Sequence, residues 1–179
     1  MFEVGKYVVY GMTGVCKICE ISPLNFGQEG IYYTLHRVQD MQNDLIYAPV
    51  ASVESGKVML RDMISREEAE TLLSEPSTEP LEWIPDLRKR NERYTQLLAS
   101  GESSNWKRLI ICLHQKQKEK QREQRTLPRR DQELLHLAEN LFFDELSAVL
   151  HQTEEEVKQQ FMGLLDPAEV QEKGLLASR

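Results

Sequence analysis

The first fifty residues constrain the fold most. Phe2-Glu3-Val4-Gly5-Lys6-Tyr7-Val8-Val9-Tyr10-Gly11 runs into Gly14-Val15-Cys16-Lys17-Ile18-Cys19-Glu20-Ile21. Ile31-Tyr32-Tyr33-Thr34-Leu35-His36 and Asp44-Leu45-Ile46-Tyr47-Ala48-Pro49-Val50 follow. Each run is short, rich in β-branched and aromatic residues, and alternates with period two, the mark of half-buried strands. Glycines and polar turns separate the runs. Strands so short and closely spaced predict a small, strongly bent barrel ending near Asp62, because glycine lets a chain kink at a barrel corner.

Beyond Asp62 the pattern becomes helical. Ser65-Arg66-Glu67-Glu68 is a capping box, in which the serine caps free N–H groups and Glu68 reaches back; a short helix runs from it through Leu73. Ser74-Glu75-Pro76-Ser77-Thr78-Glu79-Pro80 is polar and proline-bearing, and predicts a linker. A helix is expected from Trp83 to Leu98, stopped by Ser100-Gly101. The next starts near Ser104, with Trp106, Leu109, Ile110 and Leu113 on one stripe, and extends through the polar run 115–124. A third opens at Pro128 and aligns Leu134, Leu135, Ala138, Leu141, Phe142, Leu146 and Val149. Thr153-Glu154-Glu155-Glu156 caps a further helix carrying Val157, Phe161, Leu164 and Leu165. The expected architecture is therefore α+β. A small barrel over residues 1–64 is followed by a short helix and linker over 65–82, an all-α helical domain over 83–165 and a C-terminal tail over 166–179.

Charge separates the same regions. The chain of 179 residues carries a net charge of −7, which by itself argues against nucleic acid. Residues 88–130, however, hold 13 lysines and arginines against 4 acidic residues, a net of +9, whereas residues 1–87 hold 6 against 14 and residues 131–179 hold 3 against 11. A basic middle between acidic flanks is an electrostatic footprint. Residues 1–20 lack a basic-then-apolar leader and no apolar run is long enough to span a bilayer, so a cytoplasmic location with no membrane partner is expected.

The front motif resembles that of the CarD-like bacterial transcription regulators. Val4-Gly5-x-x-Val8-Val9-Tyr10-Gly11-x-x-Gly14-Val15-Cys16-x-Ile18 opens the match. Tyr32-Tyr33-x-Leu35, Pro49-Val50, Leu60-Arg61-Asp62, Trp83-Ile84-x-Asp86, Leu97-Leu98-Ala99-Ser100-Gly101, Ala138-Glu139-Asn140-Leu141 and Glu145-Leu146 continue it in order. The front motif is also used by the polymerase-binding module of the transcription-repair coupling ATPase, but no Gly-x-x-x-x-Gly-Lys-Ser/Thr run accompanies it here. The resemblance implies a Tudor-like or SH3-like barrel that docks on the β-subunit lobe of RNA polymerase. It also implies a helical domain that touches upstream promoter DNA without sequence readout and modulates open-complex stability.

For the polymerase contact the resemblance points to Arg37, Leu45, Ile46, Tyr47 and Pro49. The segment 44–50 is either an exposed edge strand, able to accept a partner strand, or an inner strand ended by Pro49. Tyr47 stands where family members often place a basic residue, so a salt bridge does not carry over; Tyr47 stacking on an arginine, or Arg37, is the substitute. For DNA the residues are Trp83, Arg88, Lys89, Arg90, Arg93, Lys107, Arg108, Arg125, Arg129 and Arg130. Trp83 is either a wedge in the minor groove or an interhelical packing residue. Ile84-Pro85-Asp86 follows it, where the better-known family pattern is directly basic. Lys116 to Arg122 read as a solvated helix face, with Glu119 and Glu123 pairing lysines one turn away. Arg129 and Arg130 open a helix against its dipole, a cost easier to understand with phosphates nearby.

No enzyme, cofactor or metal is expected. His36, His114, His136 and His151 lack a nucleophile or ligand pattern around them, and Asp144-Glu145 fits a helix face better than an acid/base pair. Cys16-x-x-Cys19 has no second cysteine pair, and positions three apart on a strand face opposite ways, so Cys16, Cys19 and Cys112 are structural thiols. The free protein is expected to be monomeric. The competing reading is a polymerase-bound regulator or general adaptor whose helical domain contacts protein and not DNA.

Overall fold

A computed structural model describes residues 1–27, 29–39, 44–75 and 81–165. The expected linker lies largely outside the described residues, and the tail over 166–179 lies wholly outside them. Five strands come first: β1 (Tyr7–Tyr10), β2 (Gly14–Asn25), β3 (Glu29–Arg37), β4 (Leu45–Pro49) and β5 (Leu60–Asp62). Helix α1 (Val50–Glu54) separates β4 from β5. The helices α2 (Arg66–Ser74), α3 (Leu87–Ala99), α4 (Ser103–Arg122), α5 (Arg129–Leu150) and α6 (Glu154–Leu165) follow.

The fold is α+β, and its sheet is open where a closed barrel is expected. All pairings are antiparallel and the order is β4-β3-β2-β1-β5. No ladder joins the two outer strands among the described residues. The physical reason is the short helix α1, which sends Val50 and Val53 onto the inner face of the sheet in place of a further strand. Val8, Cys16, Ile18, Tyr33, Leu35 and Ala48 complete that core. The bend comes from β2, whose pairing with β3 slips between Ile18 and Glu20, a bulge that adds twist.

Local capping fixes the helix starts. Ser65 and Glu68 form the reciprocal capping box at α2, and Thr153 and Glu156 exchange the same bonds at α6. Helix α3 begins at Leu87 and not at Trp83, because the Asp86 carboxylate accepts the Lys89 N–H at 2.8 Å and caps it there. Helix α5 starts at Arg129, with Pro128 at its N-cap position.

The sheet and the helices share a core. Val9 of β1 belongs to the same buried cluster as Tyr94, Leu98, Trp106, Leu113, Phe142 and Phe161. Phe142, Phe143 and Phe161 meet edge to face, with centroids 5.2–5.7 Å apart. Helix α5 passes close over β2 at Gly14. A Cβ there would sit 3.3 Å from Asp144 Oδ2 and 3.6 Å from Leu141 Cδ2, and φ is +96°, so the position suits glycine on two counts.

Candidate docking edge and cationic helix end

Strand β4 is an outer edge of the sheet. Its pairing with β3 sets Leu45 opposite His36, Tyr47 opposite Thr34 and Pro49 opposite Tyr32. Residues directly opposite share a face, so Leu45, Tyr47 and Pro49 lie on the outer face of the sheet. Leu45 is 49% exposed and Tyr47 41%. The turn after β2 brings Phe26 over this face, with its ring 5.0 Å from Tyr47 and 5.3 Å from Tyr32. Ile46 points the other way and packs on the inner core, so only its backbone can meet a partner at the edge. An edge of this kind offers N–H and C=O groups to an incoming strand, with alternate side chains supplying selectivity.

Arg37, at the end of β3, reaches toward the helical module. Its Nη2 lies 3.6 Å from the buried Asp144 Oδ2 on α5. The pair is loose: Arg37 Nε, Asp144 Oδ1 and the neighbouring His36 Nε2 are buried without a hydrogen-bond partner. Burial pushes the Asp144 carboxyl up to about 6, with Arg37 pulling the other way.

The next residue on α5 makes a much tighter junction. Arg61 of β5 lays a bidentate fork on the fully buried Glu145, with Nη1 to Oε1 at 2.5 Å and Nη2 to Oε2 at 2.8 Å. Arg61 Nε also donates to Gly101 O at 2.6 Å, and its guanidinium stands 5.5 Å from the centre of the Trp106 ring. Ser103 Oγ and the Ile64 N–H complete the carboxylate's shell. Sequence reasoning missed this junction by assigning Asp144 and Glu145 to a helix face. A signal was present: both carboxylates interrupt the apolar run Leu141–Leu146, every residue of which is buried, and a buried charge requires a partner.

The cationic residues divide sharply. Arg90, only 3% exposed, forks onto Asp131 of α5 at 2.8 and 3.0 Å and also donates to the Ile84 and Pro85 carbonyls. Lys107 is buried too, and its Nζ donates to the Leu72 and Glu75 carbonyls at the end of α2. It thereby satisfies acceptors that a helix C-terminus leaves open, while burial lowers its pKa. These two residues are corrected from the phosphate-contact set, since neither faces solvent. Trp83 precedes α3, is half-buried, and packs against the helical core. The Arg90 guanidinium lies 4.0 Å from its ring centre and Lys116 Nζ 5.3 Å, so the ring is held in a cation–π contact.

Lys116 pairs with Glu119 and Lys120 with Glu123, as the helix spacing leads one to expect. Arg125 reaches Glu123 at 3.7 Å, and half-buried Arg108 donates to Asn105. Arg129 and Arg130 both reach Glu133 one turn on, so a nearby carboxylate offsets the unfavourable dipole without any phosphate. Arg88, Lys89 and Arg93 are exposed and make no ion pair among the described residues. Arg130 donates to Asn91 of α3 at 3.3 Å. With the Arg90–Asp131 pair, this brings the first turns of α3 and α5 together. Arg88, Lys89, Arg93, Arg129 and Arg130 thus gather at one end of the helical module.

Little else points to chemistry. Among the described residues no group of three His, Cys, Asp or Glu side chains could hold a metal ion. Cys16 is buried and its thiol is pushed up to about 11 by that burial, while Cys19 is exposed. A cleft of about 340 Å³ between α2 and α4 is lined by Glu67, Glu68, Glu102, Ser103 and Ser104 among others; Glu68 and Ser103 are already used in the α2 cap and the Glu145 shell. No helix among the described residues is long and apolar enough to cross a membrane.

Comparison with known proteins singles out the sheet. Residues 2–64 match the family model described as the CarD-like/TRCF RID domain. A comparison with curated proteins finds no match to the chain. The matched stretch runs from just before β1 to just beyond β5 and contains both edges of the sheet. The N-terminal module is therefore a CarD-like/TRCF RID domain, a domain that interacts with RNA polymerase, and the chain is consistent with a CarD-like family member.

Proposed function

We propose that this protein is a transcription regulator that grips the β-subunit lobe of RNA polymerase through strand β4 and leans its helical module on upstream promoter DNA, with no chemistry of its own. The observation that carries the first half is the open β4 edge, with Leu45 and Tyr47 exposed, inside the matched RID module. Supporting the second half is the gathering of Arg88, Lys89, Arg93, Arg129 and Arg130 at one end of the helices. Phosphate contacts of that kind give affinity and salt dependence, not sequence readout. A protein that binds the melted promoter better than the closed one shifts the equilibrium toward melting by its differential affinity.

A second reading has a specific support. Trp83 is engaged by Arg90 and Lys116, and two cations are buried, so the helical module also suits contact with a protein surface. Three measurements test these readings. Immobilised RNA polymerase should capture the full chain, and Leu45→Lys should weaken that capture about tenfold; equal capture of the variant would remove β4 from the interface. DNA binding measured across salt concentration should lose slope when Arg88, Lys89 and Arg93 become alanine. An unchanged slope would leave the helical module to a protein partner. On a melted promoter, Trp83→Ala should leave the bubble lifetime unchanged if the ring only packs.

A further inference from the structure

The junction between β3 and α5 holds an ion pair that is assembled but not closed. Among the described residues three buried side-chain polar atoms lack a hydrogen-bond partner, and they lie together: His36 Nε2, Arg37 Nε and Asp144 Oδ1. Buried polar groups are nearly always paired, so three exceptions in one place require an explanation.

The same molecule contains the finished version of this pair. Arg90 donates from Nε to Asp131 Oδ1 at 3.0 Å and from Nη2 to Asp131 Oδ2 at 2.8 Å. At Arg37 the corresponding atoms stand apart: Nη2 stops 3.6 Å from Asp144 Oδ2, and Nε and Oδ1 have no partner. The Arg90 side chain is 4% exposed and is also held by the Ile84 and Pro85 carbonyls. The Arg37 side chain is 37% exposed, so it can shift without repacking a core. Asp144 has less room, because its Oδ2 stands over Gly14, where a Cβ would sit 3.3 Å away.

Around the carboxyl stand Arg37 and the neighbouring His36 on β3, the buried Cys16 thiol opposite Arg37 on β2, and Glu154 at the start of α6. On α5 itself Glu145 is turned to Arg61. Burial and Glu154 oppose a charge on Asp144, whereas Arg37 favours it. An ionised carboxylate strengthens a guanidinium fork; a protonated one gives up its charge and turns one oxygen into a donor.

We propose that Arg37 and Asp144 form a two-state clasp between the sheet and α5, open while the carboxyl is protonated and drawn into the Arg90-type fork once it is ionised. Closure satisfies Arg37 Nε and Asp144 Oδ1 together and offsets part of the cost of burying the charge. β3 is the strand on which β4 is paired, so the clasp ties the neighbour of the open edge to α5.

Carbon-detected NMR of the full chain tests this. The Arg37 Nε–H exchange rate is expressed relative to that of exposed Arg88, so that the intrinsic pH dependence of exchange cancels. Between pH 5 and 7.5 Arg37 should become more protected by about fivefold or more, with a midpoint that matches the Asp144 carboxyl titration near 6. Asp144→Asn should remove that change. Arg37→Gln should raise the midpoint of the Asp144 titration by about one pH unit. Circular dichroism melts confirm that both variants fold. A flat ratio in wild type would mean a single fixed contact and overturn the clasp. The same rise in Asp144→Asn would hand the switch to another group, His36 first, and overturn the assignment. Protection that falls as pH rises would mean that ionisation opens the junction, the reverse of what is proposed. An unmoved Asp144 midpoint in Arg37→Gln would mean that no fork forms.

Discussion

The two edges of one sheet meet opposite fates. At β4 the outer edge is open, with Leu45 and Tyr47 exposed. At β5 the helical module closes over the edge. Arg61 reaches from β5 to Glu145, Gly101 and Ser103, and Met59, Met63 and Ile64 around it pack into the helical core. Unpaired strand edges are liabilities that proteins cover or use. Here one is covered and the other, among the described residues, is left open. The shared core also joins the sheet directly to the helices that follow the linker. The β4 edge and the cationic helix end are therefore parts of one packed arrangement.

The largest effect should come from breaking the closed edge. Glu145→Ala strands Arg61 beside a buried gap, and removing one partner of a buried, hydrogen-bonded pair costs about 3–5 kcal/mol. Urea unfolding should show that loss; a loss below about 1 kcal/mol would mean that β5 is held by apolar packing alone. Arg90→Ala should be nearly as damaging, at about 3 kcal/mol, because Asp131 is then buried alone. The triple change of Arg88, Lys89 and Arg93 to alanine should stay within about 0.5 kcal/mol of wild type. Comparable losses in the two experiments would undo the division between buried and exposed cations on α3.

The loose Arg37–Asp144 contact gives an intermediate, pH-dependent effect. Asp144 titrates near 6 in the fold, against about 3.9 for an ordinary aspartate. The folded state therefore binds the proton more tightly, and this group's contribution to stability declines as pH rises from about 4 through about 6. Asp144→Asn should gain on wild type over that window by about 2 kcal/mol and then level off. The difference between the two denaturation midpoints, followed from pH 4.5 to 8, checks this; a flat difference would mean that Arg37 fully compensates the charge. At the open edge a small change is expected. Tyr47→Ala should cost about 1 kcal/mol or less of stability, since only the contact with Phe26 is lost. A larger cost would mean that the aromatic face holds the sheet together and is not free for a partner.

Much of this could be read from the chain because the responsible forces are local. Period-two runs placed the strands, and Ser65 and Thr153 with their partners three residues on placed two helix starts. Capping involves neighbours in sequence, so the sequence contains both halves of each interaction. The start of α3 was misplaced by four residues, although Asp86 and Lys89 held the cap. The open sheet was also missed, because α1 hides within a stretch of β-rich residues. The candidate site was legible as a composition and not as a surface. Arg88 and Arg90 look alike in the chain, yet one is solvated and the other is locked beneath a carboxylate forty-one residues away.

From the amino-acid order alone came the α+β division, the resemblance of the front module, the run of positive charge between acidic flanks and the locations of most elements. Each depends on periodicity, neighbour spacing or a count of charges. Only the folded molecule decided which edge is open, which cations are free, and that Asp144 and Glu145 join the two modules. Those outcomes turn on partners tens of residues apart, and burial changes the energy of a charge far more than its position in the chain can reveal.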